Sequence, residues 1–144
     1  MNWKEEAVER LGRYAAMKTA VQVIPVELQR LELEAASLSC GLSGGTGKKM
    51  NIRGREDMLL SLLVRRQELE KNHANASLWL QSMDKALGQL SQQDQLLLEQ
   101  MYIRRDRDVT QLCVELGLEK TSLYRRRDTA LKHLTLALYG ALES

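Results

Sequence analysis

The sequence predicts an all-α protein: a long N-terminal antiparallel helical hairpin of coiled-coil type, followed by a C-terminal module of shorter helices. Three observations carry that prediction. Proline occurs once and phenylalanine never in 144 residues, while Leu, Gln, Glu and Ala are abundant, side chains that lose little rotamer freedom in a helix. Two long stretches repeat apolar residues at alternating gaps of four and three, the seam of one helix packed on another. The last third then breaks into shorter amphipathic stretches with capping residues at their starts and a glycine at the end of one.

The first stretch runs from about Asn2 to Leu38, with Met17, Val21, Ile24, Leu28, Leu31, Ala35 and Leu38 as its stripe. Pro25 falls inside it, where a proline removes one hydrogen bond and clashes with the preceding turn. The stripe keeps its phase across Pro25, which favours one kinked helix over a break near Ile24 with Pro25 opening a second helix. Ser39 to Gly54 holds five of the nine glycines and reads as a flexible connection. Gly47-Lys48 within it does not make a phosphate-binding loop. Leu42 stands where the leading glycine belongs, Lys49 where Ser or Thr belongs, and no strand precedes it.

The second long stretch spans Arg55 to about Leu90, with Leu59, Leu62, Arg66, Leu69, His73, Ala76, Leu80, Met83, Leu87 and Leu90 at the seam. A helix of that length extends about 50 Å at 1.5 Å per residue and should fold back on the first as an antiparallel hairpin. Arg66 is expected to carry its charge to the seam's edge. His73 reads as a partly exposed residue that sets register rather than a ligand or pH switch. Trp79 lies beside the seam and packs across it or against a partner. Residues 1–90, including the loop at 39–54, thus form one expected region and 91–144 another.

Composition excludes several classes. No apolar run approaches the roughly 18 residues of a membrane span, and Met1-Asn2-Trp3-Lys4-Glu5-Glu6 is too charged for a secretory signal. Cys40 and Cys113 have no neighbouring His or Cys cluster, so neither a zinc site nor a disulfide scaffold is expected, and a reducing cytoplasm fits. His73 and His133 are isolated, and no spacing suggests a carboxylate pair, a nucleophile with its base, or a metal motif. No enzyme activity and no cofactor are expected. The net charge of +2 says little, but its location says more. Lys120, Arg125, Arg126, Arg127 and Lys132 face a single Asp128 between Lys120 and His133, and Arg104, Arg105 and Arg107 cluster just upstream.

In the last third, Ser91 opens a helix as N-cap, with Asp94 at the capping-box position and Leu96, Leu97, Met101 and Tyr102 as its apolar face. Asp108 caps a short helix, Val109 to Leu116, with Gln111 at the box position and Val109, Leu112, Cys113 and Leu116 facing in, Cys113 as a small hydrophobe. Gly117 ends it, and Leu118 plugs the turn. A longer basic helix follows from Glu119 or Lys120 to about Tyr139, with Leu123, Ala130, Leu131, Leu134 and Leu138 inward. A short helix, a glycine turn and a basic helix are the helix-turn-helix signature, in which the second helix presents its first two turns to base edges.

The run Leu90-Ser91…Leu96…Tyr102…Leu112…Leu116-Gly117-Leu118…Leu123-Tyr124-Arg125…Ala130-Leu131-Lys132-His133-Leu134 resembles region four of sigma-70 family factors, with Ala-Leu-Lys-x-Leu as its most specific part. The whole chain looks like the small sigma-like regulators of Gram-positive prophages, the ArpU- and RinA-type activators of late phage genes. The resemblance implies a cytoplasmic regulator that binds double-stranded DNA, with Lys120, Thr121, Tyr124 and Arg125 facing bases. Arg104, Arg105, Arg107, Ser122, Arg126 and Arg127 would meet the backbone, which positions without reading sequence. Glu119 departs from the family's usual Ser or Thr cap, and Arg126 occupies a position that is often apolar.

The leading expectation is therefore a sequence-specific regulator of phage or prophage genes, with RNA polymerase as a second partner and homodimerisation through the hairpin left open. Two alternatives stand beside it. A small terminase-like packaging protein also joins a helix-turn-helix to oligomerisation helices, usually in the reverse order. An adaptor that binds polymerase and touches little DNA would lack steep salt dependence.

Overall fold

A computed structural model describes residues 2–39 and 52–141. The chain is all-helical, with no strand among the described residues. Helix α1 spans Trp3–Ser39 and α2 spans Ile52–Gly88. Helix α3 (Gln92–Leu98) runs directly into a π-helical turn, Glu99–Arg104, and is followed by α4 (Val109–Leu116) and α5 (Lys120–Tyr139). No helix among the described residues is long and apolar enough to cross a membrane. Most of the expected glycine-rich connection, Cys40 included, lies outside the described residues. Its last part, Ile52 to Gly54, already belongs to α2.

Helix α1 continues through Pro25, so the unbroken apolar stripe outweighs the lost hydrogen bond and no second helix opens there. Every expected seam residue of α1 is buried or half-buried, and every one of α2 except Arg66. Arg66 carries its charge outward to Glu32 of α1 (2.8 Å) and Glu70 (3.0 Å). His73 is half-buried.

Contacts group the chain into two compact units, one of Met1–Lys18 with Leu78–Ser144 and one of Thr19–Ser77. In the second unit only Leu31 and Ala76 are buried hydrophobics among the described residues. The first unit holds the main core, which draws on four helices. Ala7 and Leu11 come from α1, Met83 and Ala86 from α2 with Leu90 just beyond it, Leu98 from α3, and Ala130, Leu131 and Leu134 from α5. The last third therefore shares one hydrophobic core with the opening turns of α1 and the closing turns of α2. Trp79 packs against this core rather than standing free, with the Arg10 and Arg13 guanidiniums each 5.7 Å from its ring centre. A smaller cluster, Leu97, Leu112 and Leu123, is bordered by Met101, Val109, Cys113, Leu116 and Leu118, and it seats α4 and the first half of α5 on α3.

Two details of α3 differ from expectation. Ser91 caps it, accepting from the Asp94 amide at 3.2 Å, but the Asp94 carboxylate does not return to the cap. It turns inward and serves another helix, because Arg126 stands opposite it. Leu96 is 44% exposed while Leu98 is fully buried. A helix turns about 100° per residue, so Asp94, Leu97 and Leu98 share the inward face and Leu96 does not. The π-helical turn then re-phases the chain so that Tyr102 and Ile103 pack on the main core. Arg105 closes that turn in the left-handed region at φ 55°, and its Nε donates to the Tyr102 carbonyl at 3.3 Å.

Leu11 illustrates the dependence on the shared core. Truncating a fully buried leucine removes its transfer free energy and leaves a cavity. Leu11→Ala should cost about 2–5 kcal/mol in urea unfolding, whereas Val26→Ala, at a site 66% exposed, should stay within about 0.5 kcal/mol.

A polar contact gives the same unit a pH signature. The Tyr14 hydroxyl donates to the Asp84 carboxylate. Burial first, then the Asp84 bond and charge, push the phenol from 10.0 up to about 12. A raised phenol favours the protonated, folded form. Its contribution is thus complete below pH 10.0 and is lost as pH rises toward about 12. Thermal melts of Tyr14→Phe across that window should show a shallower alkaline loss of stability than the parent chain.

Candidate nucleic-acid interface

The α4–α5 segment is fixed by local chemistry at both ends of its turn. Asp108 accepts from the Gln111 amide (2.8 Å) while the Gln111 side chain accepts from the Asp108 amide (3.1 Å), the reciprocal capping box. Gly117 takes φ 65°, a region where glycine carries no side-chain penalty. The following Leu118 amide donates back to the Cys113 carbonyl at 3.0 Å, which satisfies a carbonyl left open at the helix end. Leu118 drops into the smaller cluster, and Cys113 packs half-buried beside it. Glu119 precedes α5 without a side-chain cap bond.

Two turns and more of α5 then present their outer face to solvent. Lys120, Thr121, Ser122 and Arg125 are exposed, and Leu123 between them is buried and anchors the helix. Lys132 continues the exposed face. Lys120, Arg125 and Lys132 make no ion pair with any described residue, so their charge is available to a ligand. Tyr124 is half-buried at the edge of this face, with the Arg127 guanidinium 4.8 Å from its ring centre.

The other candidate arginines are engaged within the protein. Arg126 bonds Asp94 (3.3 Å) and Gln93, tying α5 to α3. The Asp94 side chain is only 11% exposed, and a carboxylate so far from water needs such a partner. An arginine at an often apolar position is thereby explained: it answers a buried acid. Arg127 pairs with Asp128 at 2.9 Å. Burial works against the Arg127 charge, but the Asp128 bond and the Tyr102 hydroxyl outweigh it and hold the guanidinium above its ordinary value. The Tyr102 phenol is itself raised by burial, with Arg127 opposing. Arg104 pairs with Glu99 (3.0 Å) and Arg107 with Glu115. These last two pairs are exposed, and such pairs hold their cations weakly enough to exchange for phosphate.

One neighbour was not legible in the sequence. Lys4, in the first turn of α1, pairs with Asp128 of α5 at 3.3 Å. Together with Glu5, Val8, Glu9, Tyr102, Arg127 and Leu131 it lines a shallow groove beside α5. Nothing in the spacing of the last third points to a residue more than a hundred positions away.

Among the described residues no group of three His, Cys, Asp or Glu side chains converges to hold a metal ion. An exposed helix face with cations that pair with no described residue, two hydroxyls and a half-buried tyrosine at its margin offers donors and positive charge to a polyanion.

The chain belongs to the family described as "Protein of unknown function (DUF1492)", which matches residues 39–135. That span covers α2, α3, α4 and most of α5. No curated protein and no solved structure matches the chain.

The division between engaged and available cations is testable without any ligand. Arg126→Ala should destabilise the chain by about 1–3 kcal/mol in chemical denaturation, because it strands the Asp94 carboxylate, whose side chain is only 11% exposed. Arg125→Ala should leave stability within about 0.5 kcal/mol.

Proposed function

We propose that this chain is a sequence-specific double-stranded-DNA-binding transcriptional regulator, sigma-factor-like, of phage or prophage genes. In this reading α4, the Gly117 turn and α5 form a helix-turn-helix. The observation that carries it is the outer face of α5, where Lys120, Thr121, Ser122 and Arg125 stand exposed and the Lys120 and Arg125 side chains make no ion pair with any described residue, directly after a capped short helix and a left-handed glycine turn. Arg125 would make the bidentate guanine contact in this reading, and Lys120, Thr121 and Tyr124 would complete the base-facing set. Ser122, Arg104, Arg105 and Arg107 serve the backbone. Arg126 and Arg127 contribute first by fixing α5, since both are committed to Asp94 and Asp128.

Helices α1 and α2 form an antiparallel hairpin in this proposal, supported by Tyr14 meeting Asp84 and Glu32 meeting Arg66. The hairpin is the element for self-association or for RNA polymerase. A dimer would favour paired half-sites about one helical turn, or a multiple, apart.

Binding of the purified chain to DNA fragments from its own genomic neighbourhood tests the reading. Log affinity should fall with log salt at a slope of about −3 or steeper, since each neutralised phosphate contributes about −0.9. Arg125→Ala should weaken specific binding by about 1–3 kcal/mol and relax sequence preference. Absence of binding at low salt would overturn the proposal and turn attention to polymerase as the sole partner.

A further inference from the structure

Thr121, Tyr124, Arg125 and Asp128 stand at i, i+3, i+4 and i+7 on α5, one stripe of the helix surface. Asp128 is the odd member. A carboxylate one turn beyond Arg125, on a face that meets phosphates, repels the ligand that the rest of the stripe attracts. Two cations answer it, Arg127 at 2.9 Å and Lys4 at 3.3 Å. Burial works against the Asp128 charge, yet the bonds from Arg127 and Lys4 outweigh it and hold the carboxyl below its ordinary value.

The two cations are not equivalent. Arg127 is committed on several sides, to Asp128, to the Tyr124 ring and to the Tyr102 hydroxyl. Among the described residues Lys4 pairs with Asp128 alone, and it makes a long approach to the Trp3 ring, 5.8 Å to its centre. Its side chain stays 42% exposed, and an ammonium has three protons to donate. It also sits at a useful distance. Asp128 lies seven residues from Thr121, about 10 Å along the helix at 1.5 Å per residue. A major groove about 12 Å wide brings its phosphate wall near that point when the first turns of α5 meet the bases.

We propose that Lys4 is a phosphate-contacting residue of the DNA interface, its ammonium bridging Asp128 and a backbone phosphate, so that the first turn of α1 belongs to the binding surface. The inference rests on the DNA-binding reading above. It differs from a role in which Lys4 merely neutralises Asp128, since that role disappears when the carboxylate is removed.

Salt-dependent DNA binding by the full-length chain separates these roles, using the same genomic fragments with wild type, Lys4→Ala, Asp128→Asn, the double variant and Arg125→Ala. Thermal melting checks that each variant is folded. Lys4→Ala should flatten the log–log slope by about 0.9. A fourfold rise in salt then costs the variant about 3.5-fold less affinity than it costs wild type. Asp128→Asn should tighten binding, and adding Lys4→Ala to it should flatten the slope by a similar amount. An unchanged slope in Lys4→Ala, or an effect that vanishes in the Asp128→Asn background, would overturn the inference while Arg125→Ala still weakened binding. Failure of the wild type to bind would overturn the DNA reading itself, and this inference with it.

Discussion

Everything placed on α5 depends on one hydrophobic contact set, the meeting of Leu11, Met83, Leu98, Leu131 and Leu134, all essentially without solvent exposure. Four helices contribute to it, and none of them covers its own apolar face alone. An eight-residue helix such as α4 is marginal in isolation. It is held because α3 and α5 are held, and α5 is held because its second half is buried against α1 and α2. The outer face of α5 is therefore positioned by residues at the opposite end of the sequence.

Polar contacts refine what the core positions. Arg126 reaches under α5 to the nearly buried Asp94, so a charge that sequence alone would assign to solvent becomes an internal tie. Asp128 draws Arg127 and Lys4 to one edge of the helix. On α5 the cations that remain outward and make no ion pair with any described residue are Lys120, Arg125 and Lys132. Internal pairing thus sorts a dense basic cluster into cations that hold the fold and cations that stay available.

Much of this was legible in the sequence wherever a local rule decides the outcome. The seam residues of both long helices, the Asp108–Gln111 box, the left-handed Gly117 and the limits of α4 follow from periodicity and capping. The inward set of α5 follows from its period, apart from Thr135, whose buried hydroxyl donates to the Leu131 carbonyl. Tertiary partners were not legible. Asp94 has the spacing of a capping box, but the deciding fact is Arg126, thirty-two positions later. Leu96 was expected inside, but the inward turn of Asp94 toward Arg126 puts Leu97 and Leu98 on that face instead. The available and engaged arginines look identical in a row of three. Only the folded chain shows which of them already has a carboxylate.

Native-state hydrogen exchange tests most directly the claim that the outer face of α5 rests on a core shared with α1. If one cooperative unit holds both, amides around Leu11 in α1 and around Leu131 in α5 should open with the same free energy and the same denaturant dependence. Exchange of the α1 amides at low cost, with the α5 amides still fully protected, would contradict the account and make the α4–α5 segment an independent module.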